Sequence, residues 1–378
     1  MANSKQESKF VFVICQNGAE TAAKLEIAKQ YPQLKFAFSR PGFLTFKLDA
    51  PKSENGDGGF PDRFLLRSVL ARTFGWSIGR VDGNDAAKLV EQICQHDLIS
   101  SATHLHVWQR DPMTPGKNGF EPGISPLANE IGKLFKNHPQ IQNQQIVVNR
   151  LTQPDDLVFD VVMVEPDQWW YGYHFANTKP GRWPGGVPLV DSDKEVASRA
   201  FFKLQEALLW SGIVIGPGDL CAEIGSSPGG ACELMLEMGA GVLGIDPAEM
   251  EPSVLKHPDF IHIRKRGHEV RKKEFRDVDW LMADLNLAPS YTMELVEEIA
   301  GHPSVNFKGV ILTLKLSDWG TIQSVSKYIA RLKRIGFQVV KARQLAFNRQ
   351  EFCLVAIKDK FLLRSLKRSN KKRKQERS

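Results

Sequence analysis

The chain contains no apolar run approaching the ~18 residues that a membrane-spanning helix needs. The apolar stretch nearest its start, Phe10 to Cys15, is six residues long. That is too short for a signal-peptide core and reads as a buried strand. No membrane partner is expected. Cysteine is also scarce. The five (Cys15, Cys94, Cys221, Cys232 and Cys353) are scattered, odd in number and without CxxC spacing. This excludes a disulfide framework and a zinc ribbon, and it points to a reducing, cytoplasmic setting. No metal site is expected. There is no repeat at a fixed period and no GxGxxG segment, so neither a solenoid nor a dinucleotide-binding turn is indicated. A diffuse excess of positive charge is missing too. The formal net charge is +7, but residues 364–378 hold eight cations against one acid, and the other 363 residues are neutral. That distribution excludes a uniformly basic nucleic-acid coat. It fits a folded body with a basic, disordered tail that touches polyanions.

At roughly 150 residues per domain, 378 residues predict two or three domains. Residues 10–50 read strand, helix, strand, with Phe36, Phe38, Phe43 and Phe46 alternating as anchors. Residues 62–165 continue as a mixed α/β region. Helical spacing falls on Arg67 to Phe74 and Asn84 to Gln95, and strands fall on His104 to Trp108, Ile146 to Val148, Leu157 to Val164 and Trp169 to His174. The breaker-rich NTKPGRWPGGVP predicts a linker at 177–191. After Ser192, strands alternate with helices. Strands are predicted at Asp219–Ile224, Gly241–Asp246, Phe260–Arg264, Asp279–Asp284, Gly309–Leu316, Phe337–Lys341 and Phe352–Ile357, with helices at Lys194–Trp210 and Thr321–Ile335. This pattern implies an α/β fold with a doubly wound, mostly parallel sheet.

Between the first strand of that half and the following helix lies Glu223-Ile-Gly-Ser-Ser-Pro-Gly-Gly230. Glycines at such a turn let the backbone approach a ligand, and the helix start offers free N–H groups. Twenty-three residues after Glu223, the next strand ends in Asp246, placed to accept from the ribose hydroxyls of a nucleoside cofactor. Gly225-Ser-Ser-Pro-Gly229 also satisfies GxSxG, the nucleophile elbow of α/β-hydrolases, with Ser227 as nucleophile. In that elbow the residue after the serine supplies an oxyanion-hole N–H. Here it is Pro228, which has none.

Four ionisable residues fall at strand ends or helix faces of the same half: Lys203, Asp284, Lys315 and Glu351. The carboxyl ends of the strands form the ligand edge of such a sheet, so Asp284 and Lys315 belong there. Lys315 ends an apolar strand, where an unpaired ammonium is costly. It reads either as half of an ion pair or as a base. To serve as a base for a hydroxyl, a lysine is expected to need a pKa below its ordinary ~10.4.

At these residues the sequence resembles the FtsJ-like 2'-O-ribose methyltransferases. Within them it is most similar to the bacterial RlmM type, which modifies a cytidine of 23S rRNA. The blocks that carry the resemblance are SRAFFKL, EIGSSPGG, VLGIDP, VDWLMADL, LTLKL and ARQLAFNRQEF, in that order. The resemblance implies a Rossmann-like domain that uses S-adenosyl-L-methionine. It implies a catalytic tetrad of Lys203, Asp284, Lys315 and Glu351, with Lys315 as proton acceptor. The cofactor would lie against Gly225, Ser227, Pro228, Gly229, Gly230, Asp246 and Asp284. The partner implied is RNA, 23S rRNA of the large ribosomal subunit. By the same resemblance, 1–55 would be a ferredoxin-like part and 56–176 a THUMP-like RNA-binding region. A linker at 177–191 would lead to the methyltransferase domain at 192–363 and the basic tail at 364–378. Two positions depart from the family pattern: Arg266 stands where the family has an acid near the adenine, and Ala200 replaces a serine.

Two other readings stand beside this one: a non-catalytic RNA-binding or ribosome-assembly factor that keeps the fold, and a serine hydrolase at Ser227. Among smaller features, His104 and His106 face one way on a strand, but no third metal ligand suggests itself. Trp169, Trp170, Tyr171 and Tyr173 are either base-stacking or core residues. Arg264, Lys265, Arg266, Arg271, Lys272 and Lys273 form a second basic cluster, either phosphate-binding or simply solvated.

Overall fold

A computed structural model describes residues 9–49 and 63–358. The basic tail expected at 364–378 and the Gly-rich break at 52–59 lie outside the described residues. The chain divides into two compact units, Met1–Asp191 and Ser192–Ser378.

The first unit is built on one eight-stranded sheet. Its strands are β1 (Phe10–Ile14), β2 (Leu34–Arg40), β3 (Phe43–Leu48), β4 (Thr73–Asp82), β5 (His104–Gln109), β6 (Val147–Val148), β7 (Leu157–Glu165) and β8 (Gln168–Phe175). They lie in the order β2-β3-β1-β4-β8-β7-β5-β6. Only β5 runs parallel to its neighbours, β6 and β7. Strands from both sides of position 55 thus share one sheet. Helix Ala86–Cys94 falls where spacing predicts it, and its N-cap Asp85 accepts from the amides of Ala87 and Lys88.

Arg67 to Phe74, expected to be helical, is not. The Glu26 carboxylate accepts from the Ser68 hydroxyl at 2.5 Å and the Val69 amide at 2.8 Å. Those bonds replace the helical ladder, and Thr73 and Phe74 begin β4. The stretch expected to be a linker is also largely inside this unit: Pro180, Gly181, Trp183, Pro184, Gly185, Gly186 and Val187 are buried. Gly186, at φ +74°, lies where a Cβ would come within 2.7 Å of the Arg72 carbonyl. Here the glycines and prolines serve close packing rather than reach. Trp169 and Tyr171 belong to the core of the unit, and Trp170 stacks on Phe38 at 5.3 Å.

The second unit holds a seven-stranded sheet: β9 (Leu220–Ile224), β10 (Gly241–Ile245), β11 (Phe260–Ile263), β12 (Trp280–Asp284), β13 (Gly309–Lys315), β14 (Val339–Arg343) and β15 (Glu351–Ile357). The order is β11-β10-β9-β12-β13-β15-β14. All neighbours are parallel except those of β15, which is antiparallel to β13 and β14. This is the doubly wound, mostly parallel sheet expected, with its central strands β9, β12, β13 and β15 largely buried on both faces. Trp280, Phe275, Phe307, Phe337, Phe347 and Phe352 are among its fully buried side chains. From β9 the chain winds first to β10 and β11, then returns to β12 on the other side. The crevice for a ligand opens at such a reversal, beyond the carboxyl ends of β9 and β12.

Candidate active site

The glycine-rich turn leaves β9 at that crevice. Gly225 (φ +82°) and Gly229 (φ +124°) take backbone conformations that side chains resist. A Cβ at Gly225 would meet the Asp284 carbonyl at 2.7 Å, and one at Gly230 would overlap the Ser198 carbonyl. The turn is therefore fixed by its own packing, tying β9 to the end of β12 and to the residues before helix Ala200–Ser211. Asp246 follows β10. Its carboxylate accepts from the Ser227 amide at 3.3 Å and the Ala248 amide at 2.8 Å. A carboxylate has about four acceptor sites, so capacity remains for two hydroxyls. Turn and acid are thus held against each other, as a nucleoside site requires. The Ser227 hydroxyl donates to the Glu249 carbonyl at 2.6 Å. A serine nucleophile would instead offer that proton to a histidine, and the Pro228 argument points the same way.

Lys203, Asp284, Lys315 and Glu351 form a closed ring of alternating charge. Lys203 Nζ lies 3.0 Å from Asp284 Oδ2 and 2.5 Å from Glu351 Oε1. Lys315 Nζ lies 2.8 Å from Asp284 Oδ1 and also bonds Glu351 Oε2. The sheet explains much of this: Lys315 and Glu351 are register partners across β13 and β15, and Asp284 ends the adjacent β12. Glu351 is the most buried of the four, at 4% exposure, and Lys315 the most open, at 27%. Burial disfavours the Glu351 charge, but the two ammonium groups outweigh it and hold its pKa well below the usual carboxylate range. Burial likewise disfavours the Lys315 charge, yet Asp284 and Glu351 outweigh it and the pKa rises. The lowered lysine pKa expected of a base is therefore not found in the free protein.

Three supporting groups were not singled out from the sequence. Glu206, fully buried one turn beyond Lys203, accepts from the Ala346 and Phe347 amides at 2.9 and 3.1 Å. That bond pins the loop leading to Glu351. Asn348, also fully buried, donates to Glu351 Oε1 at 3.2 Å. Glu223 accepts from the Cys232 thiol at 3.0 Å, and burial pushes its pKa up to about 8. It lines a cavity of about 20 Å³ shared with Lys203, Asp284 and Thr313, room for a single water. A glutamate inside an apolar helix, as in AFFKLQEALL, was the available signal for Glu206. In the basic cluster, Arg271 pairs with Glu274 and Lys272 with Glu298.

Residues 196–358 match the family of FtsJ-like methyltransferases. The chain is 28% identical over 191 residues to ribosomal RNA large subunit methyltransferase M of Halorhodospira halophila, covering 48% of this chain and 53% of that protein. It is 27% identical over 182 residues to the same-named protein of Azotobacter vinelandii, covering 45% and 50%. The chain thus spans about half the length of the curated relatives it matches. Among solved structures, the fibrillarin pre-rRNA processing protein of Methanococcus jannaschii aligns with TM-score 0.35 and 14% identity, covering 53% of this chain and 82% of that one.

Proposed function

We propose that this chain, whose residues 196–358 match the FtsJ-like methyltransferases, methylates the 2'-hydroxyl of an RNA ribose, a cytidine of 23S rRNA, in the cytoplasm. The observation that carries the reading is the closed Lys-Asp-Lys-Glu ring at the strand ends beside the glycine-rich turn. S-adenosyl-L-methionine, when bound, supplies an electrophilic methyl group. Asp246 and the turn from Gly225 to Gly230 would hold it. Lys315 as a free amine has two N–H donors and one lone pair. Asp284 and Glu351 accept the two donors, which leaves the lone pair for the ribose hydroxyl. As the oxygen gains its methyl group, its proton passes to Lys315. The carboxylates then stabilise the ammonium that results. The raised pKa has this meaning: Lys315 is a stronger base than an ordinary lysine, and a scarcer one at neutral pH. Lys203 neutralises the same two carboxylates from the other side and fixes their orientation. The first unit, with its expected ferredoxin-like and THUMP-like parts, would choose the RNA.

Lys315→Ala should lower methylation of naked 23S rRNA by at least ~10²-fold, while calorimetry finds S-adenosyl-L-methionine binding within a few-fold of wild type. Retained activity would remove Lys315 from the mechanism. The non-catalytic reading is favoured by one position, Arg266, a cation where the family pattern has an acid. Absence of S-adenosyl-L-methionine binding to the wild-type chain in the same calorimetry would establish that reading instead.

A further inference from the structure

Far from the turn and the tetrad in sequence, the first unit buries two histidines and an aspartate together. His106 on β5 and Asp160 on β7 are register partners. His174 lies on β8, which pairs with β7 on its other side. Their exposures are 0, 0 and 7%. One donor atom from each lies within 4.8 Å of the other two, the one such group of metal-ligating side chains among the described residues.

The hydrogen bonds around the rings define what they offer one another. His106 Nε2 is 3.0 Å from the Arg150 carbonyl, and His174 Nε2 is 2.6 Å from the Gly181 carbonyl. A carbonyl only accepts, so both Nε2 atoms carry hydrogen. In the neutral imidazole this leaves each Nδ1 as a lone pair. His174 Nδ1 lies 2.5 Å from Asp160 Oδ2. His106 Nδ1 and Asp160 Oδ1 are buried without any hydrogen-bond partner. The cluster is therefore a set of acceptors with no donor among them. A single proton on His174 satisfies its contact with Asp160 and leaves the other two lone pairs bare. One cation satisfies all three residues.

We propose that His106, Asp160 and His174 bind a divalent transition-metal ion, zinc by the nature of the donors. Two imidazoles and a carboxylate suit Zn²⁺, and three protein ligands leave a further position for water. Histidines that ligate a metal commonly donate their other N–H to a backbone carbonyl or carboxylate, which fixes the tautomer. Both histidines here do so. On binding, the proton held between Asp160 and His174 leaves to solvent. The ion would bolt β5, β7 and β8 to the buried segment at Gly181. Its role is structural and independent of the methyl-transfer reading. His104, the other histidine of the pair on β5, faces Asp156 at 3.3 Å and takes no part.

The test is to produce the full chain in medium supplemented with Zn²⁺, desalt it against a chelator, and measure zinc by elemental mass spectrometry. About one equivalent per chain is expected for wild type and for His104→Gln, and less than a tenth of that for His106→Gln. Wild type should also melt at a higher temperature with its zinc than after metal-free refolding. Wild type without zinc would overturn the site, and so would His106→Gln that keeps it. If His106→Gln does not fold, the wild-type chain loaded with Co²⁺ decides. Visible absorption of a low-coordinate ion is expected, and its absence means that a water or a proton bridges the cluster.

Discussion

Lys315 shows how one residue's environment sets its chemistry. Two carboxylates hold it as an ammonium at rest and would reward it for regaining that proton during transfer. Only the neutral amine accepts a proton, and the raised pKa moves its appearance to higher pH. The single-turnover methylation rate should therefore climb from about pH 7 and still be climbing where an ordinary lysine, at ~10.4, would begin to level off. A rate that levels off near neutrality would show that another group takes the proton. The sequence placed Lys315 and Asp284 at the ligand edge through strand-end arithmetic, and the structure puts them there. Their effect on one another was not legible. The direction of a pKa shift depends on how many carboxylates lie within hydrogen-bond reach, and spacing along the chain does not encode that count.

Among the elements, helix Ala200–Ser211 does more than the apolar periodicity of AFFKLQEALL suggests. Phe201, Phe202, Leu204, Ala207 and Leu208 bury its packing face, and Gly212 ends it in the left-handed conformation. Lys203 and Glu206, one turn apart, leave the same face by different exits. The first reaches Asp284 and Glu351, and the second reaches the amides of Ala346 and Phe347. Glu206→Gln weakens two charge-assisted bonds to buried amides and should cost about 1–3 kcal/mol of stability. It should also lower kcat while leaving S-adenosyl-L-methionine binding nearly unchanged, because what it frees is the loop before Glu351. A variant with wild-type kcat would leave Glu206 a purely structural residue. The central strands of the second unit, β9, β12, β13 and β15, were legible because they are apolar runs buried on both faces and bounded by polar turns. Arg67 to Phe74 was misread for the opposite reason: a carboxylate some forty residues earlier supplies its hydrogen bonds, and no local pattern announces such a partner.

At the scale of the whole molecule, the net charge and the tetrad lie in different parts of the sequence. The described tetrad is neutral in sum, while the net positive charge of the sequence resides in 364–378. Removing those fifteen residues should weaken RNA binding and flatten its salt dependence, by up to ~0.7 in log–log slope for each phosphate that the tail neutralises. The methylated position should stay the same, as mapped by 2'-O-methyl sequencing of the rRNA. A shifted position would give the tail a part in target choice. The two units part at 191/192, three residues after the breaker segment ends at Pro188, and composition did not reveal that most of that segment is packed into the first unit.

The place of β15 decides when the tetrad can be complete. This strand is the last among the described residues, yet it lies between β13 and β14 rather than at the edge of the sheet. It carries Glu351, the residue that both lysines share. A chain growing on the ribosome reaches Arg343 with three tetrad members made and no ring to close. The ring can close only once Glu351 has been made and β15 pairs with β13. Synthesis thus acts as a safety catch on the proposed chemistry: the ring of Lys203, Asp284, Lys315 and Glu351 is complete only in a chain made past residue 351.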